Sequence, residues 1–324
     1  MPDNIVAESI ADLPAQVAES PKSLAESRAR YFNTGNAFNV QLPAVPNMVF
    51  TEEPRKALSL TSSTGLIPCD VSDVMECPFP ATSPLVLAYY GRILGNESLK
   101  TDFVASGAVY YVIEGKGVTE SGDEIIEWNA GDVFVTPGDT SQIHQAIDEP
   151  AVLWIVTNEP QLAFEKLQAP MAGRAPTDVV HYPAEEIDKQ IDLIYKVGRG
   201  DDIAGSALIF SSSKQEESRN VLPTLTVAMN SLPAGVSQRP HRHNSVAISL
   251  VIQGDNCFSM INGERKDLSA LLDLIVKHVP GPKQVENRKS DFKMLVTTLG
   301  NDPFIGRVLT GRICLLYTSP SPRD

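Results

Sequence analysis

Cysteine, positive charge and long apolar runs are all scarce in this chain, and each scarcity excludes something. Its 324 residues include four cysteines, Cys69, Cys77, Cys257 and Cys314. So few thiols in so long a chain do not make a disulfide framework, and none is paired at metal-ligand spacing, so they read as ordinary reduced cysteines. Lys and Arg number 27 against 40 Asp and Glu, a formal net charge of −13. With no Lys/Arg-rich stripe to interrupt that balance, a nucleic-acid backbone or an anionic membrane would be repelled. No stretch approaches the roughly 18 apolar residues that a spanning helix needs. The start, residues 1–19, is acidic and broken by Pro14, unlike a basic and then apolar signal region. The cytoplasm is the expected location.

What is present points to strands and turns. Hydrophobic residues make up 42% and charged residues 21%, as in globular domains, while 24 prolines and 21 glycines imply many turns. An all-β fold is expected, and the length suits two modules plus a tail. Residues 1–45 read as an N-terminal arm with a short helix over 21–32. Residues 46–80 read as strands or loops leading into a first barrel that ends near 165. Residues 166–219 read as a linker with one amphipathic helix over 184–197, where Ile187, Ile191, Ile194 and Tyr195 recur at helical spacing. A second barrel spans 220–305, and 306–324 is tail. Within that tail, residues 314–324, CLLYTSPSPRD, match one reading frame of a transposase-type sequencing adapter. They are set aside as a processing scar, with the natural chain expected to diverge near Ile313 and Cys314 to be non-native.

An internal repeat organises the chain. Residues 109–115, VYYVIEG, align with 248–254, ISLVIQG. An apolar strand precedes each block, and a hairpin follows it at Ser121-Gly122 or Asn262-Gly263, the latter a strong two-residue turn signal. Residues 132–135, DVFV, then match 273–276, DLIV, and 155–157 match 295–297. Short strands in a duplicated block fit jelly-roll barrels, whose closure protects strand edges. Trp128 and Trp154 fall at strand positions and read as core residues rather than a substrate platform.

The second repeat carries the chemistry. Gly235 is followed by Pro240-His241-Arg242-His243-Asn244. Residues two apart on a strand share a face, so His241 and His243 would project together. Two imidazoles are half of a metal site with positions left open. Gly235, His241, His243 and Gly254 resemble the first motif of the cupin superfamily, whose usual glutamate four residues after the second histidine is here Ala247. In that respect the chain is similar to gentisate, 1-hydroxy-2-naphthoate and salicylate dioxygenases. The resemblance implies a bicupin, Fe(II) as cofactor, and dioxygen-dependent ring cleavage of a small hydroxylated aromatic acid.

The ligand set is incomplete by sequence. The offset between repeats puts Asp102 and Val104 where His241 and His243 stand, so the first barrel is expected to be metal-free, with His144 a lone hydrogen-bonded histidine. In the second repeat the third ligand should fall within residues 284–287, which are Gln, Val, Glu and Asn. Glu286 would complete a two-histidine, one-carboxylate triad, and His278 is the competitor. Arg239, two residues before His241, suits a substrate carboxylate, although such an Arg is more often a surface ion-pair partner. His181 receives no role. The alternative function is a non-catalytic bicupin that binds a small molecule or builds a structural oligomer, and a homo-oligomer stays open under either reading. Oxalate-type decarboxylation fits poorly, because it would want the carboxylate that Ala247 replaces.

Overall fold

The computed structural model describes residues 8–37, 45–197, 206–238, 246–254, 258–261, 264–267, 292–299, 301–302 and 306–307. The chain divides into two units, Met1–Ala44 and Val45–Asp324.

In the first unit the expected helix over 21–32 shrinks to a single turn, α1 (Leu24–Ser27). Ser23 caps it by accepting the Glu26 amide at 3.1 Å, but none of its residues is buried. Without an apolar face to bury, so short a helix has nothing to extend it.

The second unit opens with a helix where strands or loops were expected, α2 (Glu52–Leu58), with Glu52 and Glu53 in its first turn and Arg55 and Lys56 in its last. That order of charges follows the helix dipole. The strands follow: β1 (Gly65–Pro68), β2 (Leu87–Ile93), β3 (Ser98–Thr101), β4 (Gly107–Glu114), β5 (Lys116–Ser121), β6 (Glu124–Asn129), β7 (Val133–Pro137), β8 (Gln142–Ala146) and β9 (Ala151–Thr157). After α3 (Glu159–Glu165) come β10 (Val180–Tyr182) and α4 (Ala184–Val197). One sheet has the order β1-β2-β9-β4-β7-β10 and the other β3-β8-β5-β6. β10 comes from the segment read as linker.

Between these two sheets lies an apolar interior that includes Tyr110, Val112, Trp128, Phe134, Leu153 and Ile155. The intervening residues of the same strands, Val109, Tyr111, Val133, Val135, Trp154 and Val156, belong to a second core. That core is shared with Ile187 and Ile191 of α4 and with Val227, Met229 and Leu250 of the second repeat. Both faces of the six-stranded sheet are therefore covered, which is why β9, AVLWIVT, is buried at every position and shows no alternation.

The second repeat supplies β11 (Ser206–Phe210), β12 (Thr226–Leu232), β13 (Val246–Gln253), the hairpin strands β14 (Phe258–Ile261) and β15 (Glu264–Asp267), and β16 (Phe292–Leu299). Its sheet has the order β11-β12-β16-β13, so β12-β16-β13 reproduces β2-β9-β4. The irregularity between Val112 and Glu114 against β9 recurs between Val251 and Gln253 against β16. One detail of the repeat is corrected. Ile155 pairs with Tyr89 and Tyr110, and Val296 pairs with their counterparts Ala228 and Ser249. Ile155 thus corresponds to Val296, not Leu295, and a one-residue shift moves every side chain to the other face. Among the described residues no helix is long and apolar enough to cross a membrane.

Candidate functional site

The histidine motif occupies the connection between β12 and β13, and its two shoulders are well defined. β12 ends at Leu232, after which Gly235 takes a positive φ of 77° in a turn closed by the Val236 amide on the Pro233 carbonyl at 3.1 Å. β13 then starts at Val246. Both strands pair with β16, so the motif leaves and re-enters one sheet. Arg239, His241, His243, His278 and Glu286 lie outside the described residues. Ala247 is described: it is half-buried and lies level with Thr298 of β16. Ile248, Leu250 and Ile252 on the same strand pack in the shared core, so Ala247 looks toward the opposite face. Ala247 itself offers no carboxylate there.

In the first repeat the equivalent place is different in kind. Asp102 and Val104, which follow β3, are both exposed to solvent. His144 on β8 is fully buried, and both of its ring nitrogens are occupied. Nε2 lies 3.0 Å from the Thr101 hydroxyl and Nδ1 lies 2.8 Å from that of Thr119. The direction of this chain is fixed at its ends. Trp128 Nε1, which can only donate, reaches the Thr119 oxygen at 2.9 Å, so the Thr119 proton is turned to His144 Nδ1. The Gln142 amide nitrogen donates to the Pro137 carbonyl at 3.0 Å, which leaves Gln142 Oε1 to accept from Thr101 at 3.3 Å. Thr101 then accepts from His144 Nε2–H. Burial pushes the His144 pKa down to about 3, so the ring is a neutral Nε2–H tautomer held by hydroxyls. Among the described residues no group of three or more His, Cys, Asp or Glu converges.

A second polar cluster escaped sequence reading. Asp132, just before β7, accepts from the Asn129 amide at 2.9 Å, the Ala184 amide at 2.7 Å and His181 Nε2 at 3.0 Å. Burial raises its pKa, but these hydrogen bonds outweigh it and hold the carboxyl below the usual value. The carboxylate therefore ties β10 and the start of α4 to the first repeat. His181 has a structural role that its position in an apparent linker did not disclose.

No family model matches the chain. A gentisate 1,2-dioxygenase from Haloferax sp is 43% identical over 85 residues, which span 25% of this chain and 23% of that relative's length. The salicylate 1,2-dioxygenase of Pseudoaminobacter salicylatoxidans, as a mutant in complex with gentisate, superposes with a TM-score of 0.55 at 14% identity, covering 74% of this chain and 75% of that one. A further structure of the same enzyme gives a TM-score of 0.52 at 15% identity, with 73% of each chain covered. The chain has the cupin fold. Within that cupin fold, Gly115 and Gly254 close corresponding strands, β4 and β13, and both take positive φ.

Proposed function

We propose that the chain is an Fe(II)-dependent dioxygenase that opens the ring of a small hydroxylated aromatic acid of the gentisate type, working in its second repeat. One observation carries this reading: the sequence Pro240-His241-Arg242-His243 joins two strands of one sheet, with Ala247 in place of the carboxylate expected there. His241 and His243 supply two ligands and Glu286 or His278 the third, a donor set that suits iron(II) and leaves positions open. When bound, the iron supplies a Lewis-acid centre for the substrate's oxygens and a place for dioxygen. The protein's own share is orientation. The Arg239 guanidinium pairs with the substrate carboxylate, since its planar fork matches that geometry. Gentisate is bound in the mutant salicylate 1,2-dioxygenase structure, and its hydroxyl and carboxylate groups suit this arrangement. The working division is then an arm (1–45), a first barrel without a metal site (46–165) whose sheet also takes β10, a linker (166–219) that contributes β11 to the second sheet, and the working barrel (220–305).

Anaerobic iron titration followed by an oxygen-electrode assay with gentisate and salicylate tests the reading. Wild type should take up one iron per chain and consume oxygen. His241→Ala and His243→Ala should each abolish both, because a site left with two protein ligands does not hold the ion. Glu286→Ala and His278→Ala are reciprocal, and only the true third ligand should match the histidine variants. Undiminished iron in the His241→Ala, His243→Ala double variant would overturn the assignment.

The filled interior of the first repeat, with His144 engaged on both nitrogens, favours a second reading: a non-catalytic binding protein in which both repeats have lost metal chemistry. Wild type that holds no iron after anaerobic loading would favour it.

A further inference from the structure

Asn230 is out of place in its strand. On β12, Val227 and Met229 pack into the core shared with the first repeat. Ala228, Asn230 and Leu232 alternate with them and so face the other side of the sheet. The corresponding strand of the first repeat shows what that side is. Asn230 pairs with Ala207 and Met294, as Gly91 pairs with Leu66 and Leu153. A Cβ on Gly91 would lie 3.0 Å from Ile155 Cδ1 and 3.3 Å from Leu99 Cδ2, two side chains of the first barrel's interior. In the first repeat, therefore, this position is a glycine pressed by aliphatic groups. In the second it is a carboxamide.

That carboxamide is only 4% exposed, and its Nδ2 has no hydrogen-bond partner among the described residues. A buried donor left without an acceptor costs free energy that an aliphatic side chain of the same size would not. Among the described residues the same face carries Ala228 and the buried Leu232 on β12, and Ala247, Ser249 and the buried Val251 on β13, with Ser249 open to solvent. Val251 lies in the same row as Asn230 across β16, both being level with Met294. A buried donor without an acceptor, on a face that opens to solvent at Ser249, is the arrangement of a site that waits for an acceptor.

We infer that Asn230 is a substrate-positioning residue whose Nδ2–H donates to an oxygen of the aromatic acid bound on the inner face of the second repeat. The inference rests on the ring-cleaving reading for the kind of ligand, but the unpartnered amide is independent of the metal. It gives the inner face a donor separate from Arg239, so a substrate with two oxygen substituents is held at two points and its rotation is restricted.

The test uses the full chain, loaded with iron under anaerobic conditions, with gentisate as the probe in calorimetric titration. Asn230→Leu keeps the shape and removes the donor. Asn230→Asp keeps the shape and replaces the donor with an acceptor. Both should weaken gentisate binding by about tenfold or more, while without gentisate Asn230→Leu should melt no lower than wild type. Loss of thermal stability in Asn230→Leu would show that the amide has a structural partner, and would overturn the inference. Unchanged gentisate affinity in both variants would overturn it too and leave the ring-cleaving reading standing. Wild type that binds neither gentisate nor salicylate would overturn both.

Discussion

His144 shows how a residue type that suggests chemistry can be consumed by packing. Its imidazole closes a directed chain from Trp128 through Thr119 to Thr101 and Gln142, and the Tyr110 ring lies tilted against it with ring centroids 4.9 Å apart. Nitrogen NMR should therefore find the Nε2–H tautomer at neutral pH. The unfolded chain takes up the proton near the ordinary value of 6.5, whereas the fold resists it until about 3. The contribution to stability is complete above 6.5 and is lost as pH falls toward 3, by up to ~1.4 kcal/mol per pH unit. Asp132 acts in the same direction but lower, because its folded pKa lies below 3.8. The interval between 3.8 and 6.5 thus isolates the histidine when wild type is compared with His144→Asn. Urea unfolding at about pH 5 and about pH 7 should show a steeper acid loss in wild type than in His144→Asn. Equal slopes would mean that the ring is already charged in the fold.

At the scale of elements, local pattern was legible where an element buries one face, and illegible where its reason for existing is elsewhere in the chain. α4 is found from spacing alone, because Ile187 and Ile191 are buried and the residues around them are mostly exposed. β10 is three residues long and exists because it pairs with β7, and nothing in Val180, His181 and Tyr182 announces that pairing. α2 is held at its end by Arg92, whose Nη1 donates to the Ala57 carbonyl at 2.6 Å and whose Nε donates to the Ser62 carbonyl at 3.1 Å. The bond to α2 spans 35 residues of chain. Asp132 performs the same service for α4, so Asp132→Ala should cost about 1–3 kcal/mol by leaving two part-buried amides and His181 without their acceptor. Hydrogen exchange should rise first at the start of α4 and in β10, and protection unchanged there would remove the carboxylate from this role. The candidate site divides along the same line. The pair His241 and His243 is visible as a two-residue spacing, but spacing alone does not choose between Glu286 and His278, and a single Asn in an apolar strand gives no signal until its partners are counted.

Across the second unit, the two repeats are joined through side chains and not only through the linker. Tyr90, Tyr111 and Trp154 from the first repeat share a core with Val227, Met229 and Leu250 from the second, so neither repeat covers that apolar surface alone. Duplication made this hard to read, because each repeat by itself resembles a complete barrel whose strands should alternate, while β4 and β9 are apolar on both faces. The shared core makes a specific claim about cooperativity. Leu153 lies in the first barrel's interior and Leu250 lies in the shared core, and each leucine-to-alanine change should cost about 2–5 kcal/mol. A cavity in the first barrel and a charge at the seam should differ in form. Leu153→Ala should lower the midpoint of one transition, since the first barrel and what rests on it fail together. Met229→Asp buries an unpaired charge at the seam, which is far more disruptive than a cavity, and should uncouple the repeats, so that the second loses structure at lower urea than the first. Trp128 lies in the first barrel's interior and Trp154 in the shared core, so in a Trp154→Phe background tryptophan fluorescence reports the first repeat, while circular dichroism reports both. Coincident curves for wild type and separated curves for Met229→Asp are expected, and coincident curves in the variant would show that the seam does not couple the two halves.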